Sequence, residues 1–415
     1  MAENKSILVI GGGISGISVA VEAAEVGYKV HLVERNPYLG GRVAQLNKYF
    51  PKLCPPYCGL EINFRRIRPN PDIDVMTMSE VVKVEGGPGN FTVSVRTNPR
   101  YVNSACTSCG KCAEACPAER ANSFNYGMDK TKAAYLPHDL SFPMRYVIDR
   151  PACASGCKAC EDACKYGAVE LDMAPQTTEL KVGSIVYATG WKPYDMANLT
   201  ILGEGKAKNI ISNVMMERLA SPGGPTAGKI LRPSDGKEAK VVGFVQCAGS
   251  RDENHLQQCS SICCMASIKQ AFYLRDQYPD STAEIFYIDL RTPGRYEKFL
   301  NRAEADENIK LTKGKVAAVF EDPATGDVTV ELEDVFAGVK RKATVDMLVL
   351  ATGMEPEMRG VSGAASVNQD GFALADLQKP GIYSTGVAKG PADVMTSIQD
   401  AAGTALKAMQ SIVRS

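Results

Sequence analysis

A glycine-rich turn near the N-terminus restricts this chain to a small group of folds. The apolar run Ser6–Ile10 leads into Gly11-Gly12-Gly13-Ile14-Ser15-Gly16, which fits the pattern G-x-G-x-x-G. In such a turn Gly11 permits the sharp reversal from strand to helix, Gly13 lets the backbone approach a pyrophosphate, and Gly16 lets the helix pack closely on the strand. The turn therefore predicts a dinucleotide site of the βαβ type.

The residues after the turn complete this pattern. Apolar residues recur at helical spacing over Ser15–Val26, and Lys29–Val33 is predicted to be a second strand. Glu34 and Arg35 end that strand, and Glu34 lies 18 residues beyond Gly16, close to the spacing at which an acid binds the ribose of a dinucleotide. The N-terminus of the helix would present free N–H groups and a positive dipole end to the phosphates. The alternative, a glycine turn that binds nothing, is disfavoured by this complete context.

Further segments carry a resemblance to a known superfamily. Gly40-Gly41-Arg42 follows the acid closely, two predicted strands run into Ala-Thr-Gly at residues 188–190 and 351–353, and Tyr383–Gly386 comes late in the chain. In these features the chain resembles the two-dinucleotide-binding flavoproteins. The resemblance implies an α/β fold of the thioredoxin-reductase-like type that binds FAD. The residues that it assigns to the cofactor are Gly11, Gly13, Ile14, Ser15, Gly16, Glu34, Arg35, Gly41, Arg42, Ala188, Thr189, Gly190, Gly353, Gly386 and Val387.

Two departures from the superfamily bear on function. Many members carry a second G-x-G-x-x-G for NAD(P)H, but the corresponding segment Val241–Gly249 lacks the glycine triplet. NAD(P)H binding is therefore not expected, and electrons are expected to arrive by another route. Gly386 is followed by Val387, where many members have Asp beside the flavin ribityl chain. That substitution bears on the residue assignment at this position and leaves FAD binding expected.

A cysteine-rich segment interrupts the α/β pattern. Eight of the 14 cysteines fall between Cys106 and Cys164, in a stretch broken by proline and glycine. The first four follow C-x2-C-x2-C-x3-C-P, the spacing by which bacterial ferredoxins bind [4Fe–4S] clusters, and the last four repeat it with one extra residue in the first gap. The fourth cysteine of each such set ligates the other cluster. We therefore assign one cluster to Cys106, Cys109, Cys112 and Cys164, and the other to Cys116, Cys153, Cys157 and Cys160. Structural zinc is the disfavoured alternative.

The remaining cysteines match no standard ligand spacing: Cys54, Cys58, Cys247, Cys259, Cys263 and Cys264. The first pair flanks a rigid Pro-Pro-Tyr loop, and the last pair precedes a predicted helix, Met265–Arg275, whose N-terminus would favour thiolate. Two interpretations stay open: a further metal or redox site near the flavin, a third Fe–S cluster included, or buried thiols that only pack. Lys269 and the exposed charges of the last helix are predicted to form solvated faces.

Charge and hydropathy exclude some classes of function. Lys+Arg and Asp+Glu both total 47, which argues against broad binding to nucleic acid or anionic lipid. No apolar run is long enough to span a bilayer, and the short polar N-terminus is neither a signal nor a transit peptide. We therefore expect a cytoplasmic protein with no membrane span of its own.

The segments around the cysteines resemble a narrower family. The inserted ferredoxin and five further segments of this chain resemble the flavin subunit of heterodisulfide reductase. These segments are Gly40–Leu46, Leu53–Leu60, Gln246–Asp252, Cys263–Met265 and Gly386–Val394. The similarity is greatest to the A subunits of quinone-interacting membrane-bound oxidoreductases. It implies a role in dissimilatory sulfate reduction. It also implies three partners: a second subunit with flavin and Fe–S centres, a haem-bearing membrane subunit that attaches the complex to the inner membrane, and adenylylsulfate reductase.

These inferences combine into one predicted architecture. Residues 1–100, 173–230 and 346–415 would form the FAD domain, 101–172 an inserted ferredoxin-like domain with two clusters, and 231–345 a degenerate second nucleotide-fold domain. The protein would be an electron-transfer subunit whose redox centre is the flavin itself, with no catalytic side chain. The alternative is a self-contained dehydrogenase or disulfide reductase that uses one of the cysteine pairs.

Overall fold

The computed structural model describes residues 5–203, 205–358, 361, 365–374 and 380–414. Contacts within the chain define two compact units. Unit 1 comprises Met1–Ala44, Tyr57–Trp191 and Pro356–Ser415, and unit 2 comprises Gln45–Pro56 and Lys192–Glu355.

Both units are built from parallel strands, antiparallel strands and helices. Within the described ranges the α-helices are α1 (Ile14–Ala24), α2 (Tyr57–Ile67), α3 (Lys111–Glu114), α4 (Ala159–Asp162), α5 (Asn213–Leu219), α6 (Cys263–Gln277), α7 (Glu297–Glu304) and α8 (Val394–Arg414). The strands are β1 (Ser6–Ile10), β2 (Lys29–Glu34), β3 (Ile73–Thr77), β4 (Ser79–Gly87), β5 (Asn90–Thr97), β6 (Glu119–Ala121), β7 (Lys130–Lys132), β8 (Ala134–Tyr135), β9 (Val147–Ile148), β10 (Gln176–Val182), β11 (Ser184–Tyr187), β12 (Trp191–Pro193), β13 (Ile210–Ser212), β14 (Val241–Ala248), β15 (Thr282–Tyr287), β16 (Ile309–Lys313), β17 (Val316–Glu321), β18 (Val328–Asp334), β19 (Val339–Val345), β20 (Met347–Thr352), β21 (Met354–Pro356) and β22 (Ile382–Ser384).

A parallel sheet of order β22-β11-β1-β2-β3 forms the centre of unit 1. All five residues of β1 are buried, as expected for a strand covered by other elements on both faces. The chain continues from β1 to β2 on one side, whereas β11 lies on the other. The carboxyl ends of β1 and β11 therefore flank a topological switch point, the place where open α/β sheets bind ligands.

An antiparallel sheet of order β10-β5-β4 completes the core of unit 1. β4 and β5 form the hairpin that the glycine-rich sequence at residues 86–90 predicts, with Gly87 opposite Asn90. Residues of both sheets share one apolar cluster, in which Val93, Ile185 and Tyr187 are fully buried. The strand predicted before Ala188-Thr189-Gly190 is β11; it begins at residue 184 and is separate from β10, which ends at residue 182, because the chain changes sheets between them.

The cysteine-rich insert lies within unit 1 and is small. It consists of α3 and α4, which pack against each other, and of two short antiparallel pairs, β6 with β7 and β8 with β9. A bridge between Val102 and Val169 brings the two ends of the insert together. Its core contains those two valines, Ala133, Ile148 and several of the cysteines. The thiols therefore supply much of the interior of a segment that has few large apolar residues.

Unit 2 repeats the architecture of unit 1. A parallel sheet of order β13-β20-β14-β15-β16 is combined with an antiparallel sheet of order β17-β18-β19. Phe286, Val328, Val330 and Leu348 are among the buried residues that join the two sheets. The α/β fold with two related nucleotide-fold halves is therefore confirmed. None of the helices in the described ranges is both long and apolar enough to cross a bilayer.

The two units differ from the predicted domain boundaries. Residues 45–56, 192–230 and 346–355, predicted to belong to the FAD domain, lie in unit 2. The first of these segments is held there by contacts that are distant in sequence: the Asn47 N–H donates to Glu217 Oε2 (2.9 Å), and the Lys48 N–H donates to the Tyr273 hydroxyl (3.0 Å). Composition alone carries no trace of such contacts.

Candidate functional site

The glycine turn of unit 1 is tight at two positions and open at a third. A Cβ atom added to Gly11 would lie 2.3 Å from the carbonyl oxygen of Ala188, and one added to Gly16 would lie 1.8 Å from that of Gly11. Gly11 also has a φ of 110°, which side chains disfavour. At Gly13, by contrast, a Cβ would meet no atom within 4 Å. This open approach to the backbone fits a pyrophosphate.

The start of α1 and the Gly40-Gly41 segment border the same opening. α1 begins at Ile14, and its N-cap residue Gly13 makes no side-chain capping bond, so the first N–H groups of the helix can donate to an anion. The Gly40 N–H donates to the Gly12 carbonyl (2.8 Å), and a Cβ at Gly41 would lie 3.0 Å from Gly13 Cα. Glycine at these positions therefore lets the two backbone segments meet around the site.

Glu34 is buried at the carboxyl end of β2, beside this turn. Its Oε2 accepts the Gly12 N–H (2.7 Å), and its Oε1 accepts the backbone N–H (2.7 Å) and the side-chain amide (2.8 Å) of Asn36. Burial raises the pKa of this carboxyl, and the three donors oppose part of that effect. A carboxylate has about four acceptor sites, so Glu34 retains capacity for a ribose hydroxyl. Its neighbour Arg35 is paired with Glu357 of the same unit.

Arg42 and the Ala-Thr-Gly segment after β11 lie close together. Arg42 Nε donates to the Trp191 carbonyl (3.0 Å), and its guanidinium lies 5.9 Å from the centre of the indole ring. Gly190 has a φ of 70°. The Thr189 hydroxyl oxygen is buried, and no hydrogen-bond partner for it exists among the described residues. Because an unsatisfied buried hydroxyl is costly, a polar atom of a bound cofactor fits this position.

Gly386 and Val387 lie at the carboxyl end of β22, on the same edge of the sheet. Gly386 has a φ of 59°, and a Cβ there would lie 2.1 Å from Ser15 Oγ. Val387 is buried. Unit 1 therefore holds every predicted FAD residue except Gly353, which lies in unit 2, where its Cβ position is 2.2 Å from Ser250 Oγ. The fit of these residues to a dinucleotide rests on the open glycine, the uncapped helix and the unpartnered hydroxyl.

The first three cysteines of the insert are grouped around Tyr146. Burial and the neighbouring Cys112, Cys106 and Cys109 raise the pKa of this tyrosine. Cys164 Sγ accepts the Ala168 N–H (3.3 Å). Partial burial acts to raise the pKa of Cys164, but the Ala168 N–H and the adjacent backbone N–H groups outweigh burial and lower the pKa. Such N–H groups suit a thiolate that ligates a cluster.

The other four cysteines of the insert are also electrostatic neighbours. Burial raises the pKa of Cys160, and Cys153 and Cys116 raise it further. Burial likewise raises the pKa of Cys153, with added effects of Cys116 and Cys157. In the described part of the chain no three His, Cys, Asp or Glu side chains are close enough to hold a single metal ion. The division of the eight thiols between two clusters stays a prediction.

An aromatic contact joins the insert to the loop that precedes Gly40. The Tyr38 ring centre lies 5.5 Å from that of Phe124 and 5.0 Å from that of His138, both in edge-on geometry. The Leu39 N–H donates to the Phe142 carbonyl (2.9 Å). The cysteine-rich insert is thus packed directly on the loop that borders the dinucleotide turn.

Four of the six remaining cysteines lie together in unit 2. Cys263 and Cys264 are buried at the start of α6, and Cys247 lies near the end of β14 with a φ of 55°. Burial, together with Cys247, Cys264 and Cys259, raises the pKa of Cys263 well above its ordinary value, and burial raises the pKa of Cys264 to about 11. Cys54 and Cys58, by contrast, are exposed.

The prediction that Lys269 is solvated is wrong. Its side chain is 2% exposed, and its Nζ lies 3.0 Å from Glu217 Oε1 and 2.7 Å from the Lys48 carbonyl oxygen. The reason is that α6 is buried continuously over residues 263–274, with no solvent face in that stretch. A single charged residue within an otherwise uncharged helical run was the available signal. Asp400 on α8 is paired with Lys389, and its side chain is 31% exposed.

Comparison with known proteins agrees with this geometry. A family model described as FAD dependent oxidoreductase matches residues 6–50. The A subunit of the H2:CoB-CoM heterodisulfide,ferredoxin reductase from Methanothermobacter marburgensis is 37% identical over 98% of this chain and 64% of its own length. The iron-sulfur A subunit of the CoB–CoM heterodisulfide reductase from Methanocaldococcus jannaschii is 38% identical over 97% of this chain and 63% of its own length. The chain thus spans less than two thirds of each of these relatives.

Solved structures show the same fold at low sequence identity. Lactococcus lactis thioredoxin reductase superposes with a TM-score of 0.55 and 15% identity over 99% of this chain and 100% of its own. Thioredoxin reductase of T. acidophilum gives a TM-score of 0.54 and 14% identity, over 99% of each chain. The predicted thioredoxin-reductase-like fold is confirmed.

Proposed function

We propose that this chain, which matches a FAD dependent oxidoreductase family model over residues 6–50 and is similar to the A subunits of heterodisulfide reductases, is an electron-transfer subunit. It would hold FAD in unit 1 and two [4Fe–4S] clusters in the insert. The observation that carries this proposal is the packing of the cysteine-rich insert on the loop that borders the open glycine turn. Bound FAD supplies the exchange between two-electron and one-electron chemistry.

The side chains of unit 1 would bind and orient rather than react. The open backbone at Gly13 and the first N–H groups of α1 would receive the pyrophosphate, and Glu34 would accept a ribose hydroxyl. Thr189 would donate to, or accept from, a polar atom of the cofactor. Cys112, Cys116 and Cys160 are buried, which would keep water away from the inner sides of the clusters.

A more specific role follows from the sequence resemblance. We propose that the chain corresponds to QmoA, the first of the subunits of a quinone-interacting membrane-bound oxidoreductase, and works in sulfate respiration. Its partners would be adenylylsulfate reductase, a second subunit with flavin and Fe–S centres, and a membrane subunit that contains haem. The protein would be cytoplasmic and attached peripherally to the inner membrane through those partners.

The four neighbouring cysteines of unit 2 support a further site of the same chemistry. Cys247, Cys259, Cys263 and Cys264 come from the end of β14, a loop and the first turn of α6. Arg251 and Asp289 lie beside them, paired with each other. We propose that these thiols bind a third Fe–S cluster. The raised pKa values of Cys263 and Cys264 and their burial argue against the alternative in which this pair reduces a disulfide substrate.

Quantification of iron, sulfide and flavin after anaerobic purification tests these proposals. About eight irons per chain support two clusters, and about twelve support three. Anaerobic titration with NADH and with a reduced quinone analogue then tests the route of electrons. The proposal expects flavin bleaching only with the quinol when partner subunits are present. Rapid bleaching of the isolated chain by NADH, or a colourless preparation without labile sulfide, would contradict it.

A further inference from the structure

Three donors of one turn converge on a single carboxylate of the last helix. Asp400 Oδ2 accepts the Thr385 hydroxyl (2.8 Å) and the Gly386 N–H (2.8 Å), and Asp400 Oδ1 accepts Lys389 Nζ (2.5 Å). Thr385 is fully buried, and the Lys389 and Asp400 side chains are 25% and 31% exposed. Both carboxylate oxygens are therefore used, and the donors come from both ends of the turn.

This turn lies against the dinucleotide turn. It follows β22, and the Thr385 N–H donates to the carbonyl oxygen of Tyr187 on β11 (2.9 Å). At Gly386 the backbone comes so close to Ser15 that a Cβ would lie 2.1 Å from its hydroxyl oxygen. Ser15 belongs to the first turn of α1. A shift of the 385–389 turn would therefore displace the helix N-terminus that faces the phosphates.

The sequence lacks an acid where the superfamily resemblance leads us to expect one. Val387 follows the glycine directly and is buried. Its side chain is apolar and therefore offers no hydrogen-bond acceptor. Asp400 is 13 residues further along the chain and reaches the same glycine from α8. Its position on a 21-residue helix that packs against α1 gives it a fixed support.

We propose that Asp400 is a positioning residue for FAD: it holds the Thr385–Lys389 turn in the conformation that receives the cofactor. This inference rests on the proposed binding of FAD in unit 1. Without the carboxylate, the turn must be ordered when FAD binds, and that ordering weakens affinity. Asp400 also compensates the charge of Lys389, so that the turn does not carry an uncompensated cation beside the helix.

The test compares FAD affinity among variants of the full chain. Anaerobically purified protein is freed of flavin, and FAD rebinding is followed by fluorescence quenching and by the visible circular dichroism of the bound flavin. Asp400→Asn removes the charge at constant size, and Asp400→Glu restores a carboxylate. Glu25→Gln is the matched control, since Glu25 accepts two Arg66 N–H groups (both 2.7 Å) at the opposite end of α1.

We expect Asp400→Asn to weaken FAD binding about tenfold or more and to change the dichroic band. Asp400→Glu should recover part of the affinity, and Glu25→Gln should stay within about twofold of the wild type. If Asp400→Asn does not fold, Thr385→Val removes one bond at constant shape and should weaken binding roughly three- to tenfold. Unchanged affinity and dichroism in the Asp400 and Thr385 variants would overturn the inference. Failure of the wild type itself to bind FAD would instead refute the proposed function.

Discussion

Replacement of Lys269 by methionine should strongly lower the free energy that is needed to open residues 45–56, the N-terminal segment of unit 2. At 3.0 Å and an effective dielectric constant of about 20, the attraction between its ammonium and the Glu217 carboxylate is roughly 5 kcal/mol. The cost of burying both charges offsets much of this in the intact pair. Removal of one partner leaves the other charge buried and uncompensated, which typically costs about 3–5 kcal/mol.

The remaining contacts of Glu217 determine which residues lose stability. After the change its carboxylate keeps the Asn47 N–H (2.9 Å), the Gln270 amide (2.7 Å) and the Tyr273 hydroxyl (3.2 Å). The Lys48 carbonyl loses its Lys269 donor. Residues 47 and 48 should therefore open more often, whereas strands elsewhere in unit 2 should change less.

Amide hydrogen exchange measures this opening locally, without assuming that the two units unfold together. The amides of Asn47 and Lys48 should exchange roughly two to three orders of magnitude faster in Lys269→Met. The double variant Lys269→Met/Glu217→Gln has no buried charge and should recover most of the protection. If the single variant exchanges like the wild type, or if the double variant is as unprotected as the single one, the charge-burial reasoning is refuted.

Three further outcomes test the site. The added Cβ of Gly13→Ala meets no neighbouring atom, so this variant should lose FAD binding while the melting temperature of the flavin-free protein stays unchanged. The added Cβ of Gly16→Ala lies 1.8 Å from a carbonyl oxygen, so this variant should also destabilise the flavin-free protein, by about 1–3 kcal/mol or more. Equal melting temperatures for the two variants would contradict this. Because the pKa of Glu34 is raised above 4.5 in the folded protein, the flavin-free form should lose stability as pH rises through the range between 4.5 and that raised pKa. FAD binding needs the ionised carboxylate as acceptor, so it should weaken as pH falls through the raised pKa. The Glu34→Gln variant should not show this pH dependence of binding. Cys112→Ser should lower the iron content by about four per chain, while the exposed Cys58→Ser should not change it; the opposite result would exclude the assignment of Cys112.

The sequence alone predicts the local structure correctly where a few neighbouring residues determine the backbone conformation. The strand, glycine turn and helix at residues 6–24 and the hairpin around residues 86–90 are of this kind. In each, the glycines or the apolar alternation determine the backbone within a few residues. The Ala188-Thr189-Gly190 segment is assigned to the cofactor only by the family resemblance, and Trp191, which follows it, accepts a hydrogen bond from Arg42 in unit 1.

What the sequence did not indicate depends on contacts between distant residues. Residues 45–56 belong to unit 2 because Glu217 and Tyr273 bind their backbone N–H groups, and neither partner stands out in the sequence. The ion pair of Lys269 follows no helical i, i+4 pattern, because its partner lies 52 positions away. The donors to Asp400 lie in a turn that precedes its own helix, so no helical pattern indicates them either.

In each unit a parallel strand leads to a helix whose N-terminus lacks a side-chain cap. In unit 1 the strand β1 leads through the open Gly13 to the uncapped N-terminus of α1. In unit 2 the strand β14 leads to Gly249, where a Cβ would lie 2.7 Å from the Tyr194 ring. The helix that follows, α6, begins with two cysteines and also lacks a side-chain cap. A helix N-terminus favours a thiolate for the same reason that it favours a phosphate, but at Cys263 burial outweighs this effect and raises the pKa of the thiol well above its ordinary value. The segment Val241–Gly249 of unit 2 thus lacks the second glycine triplet, and two buried cysteines stand at the start of the helix that follows it.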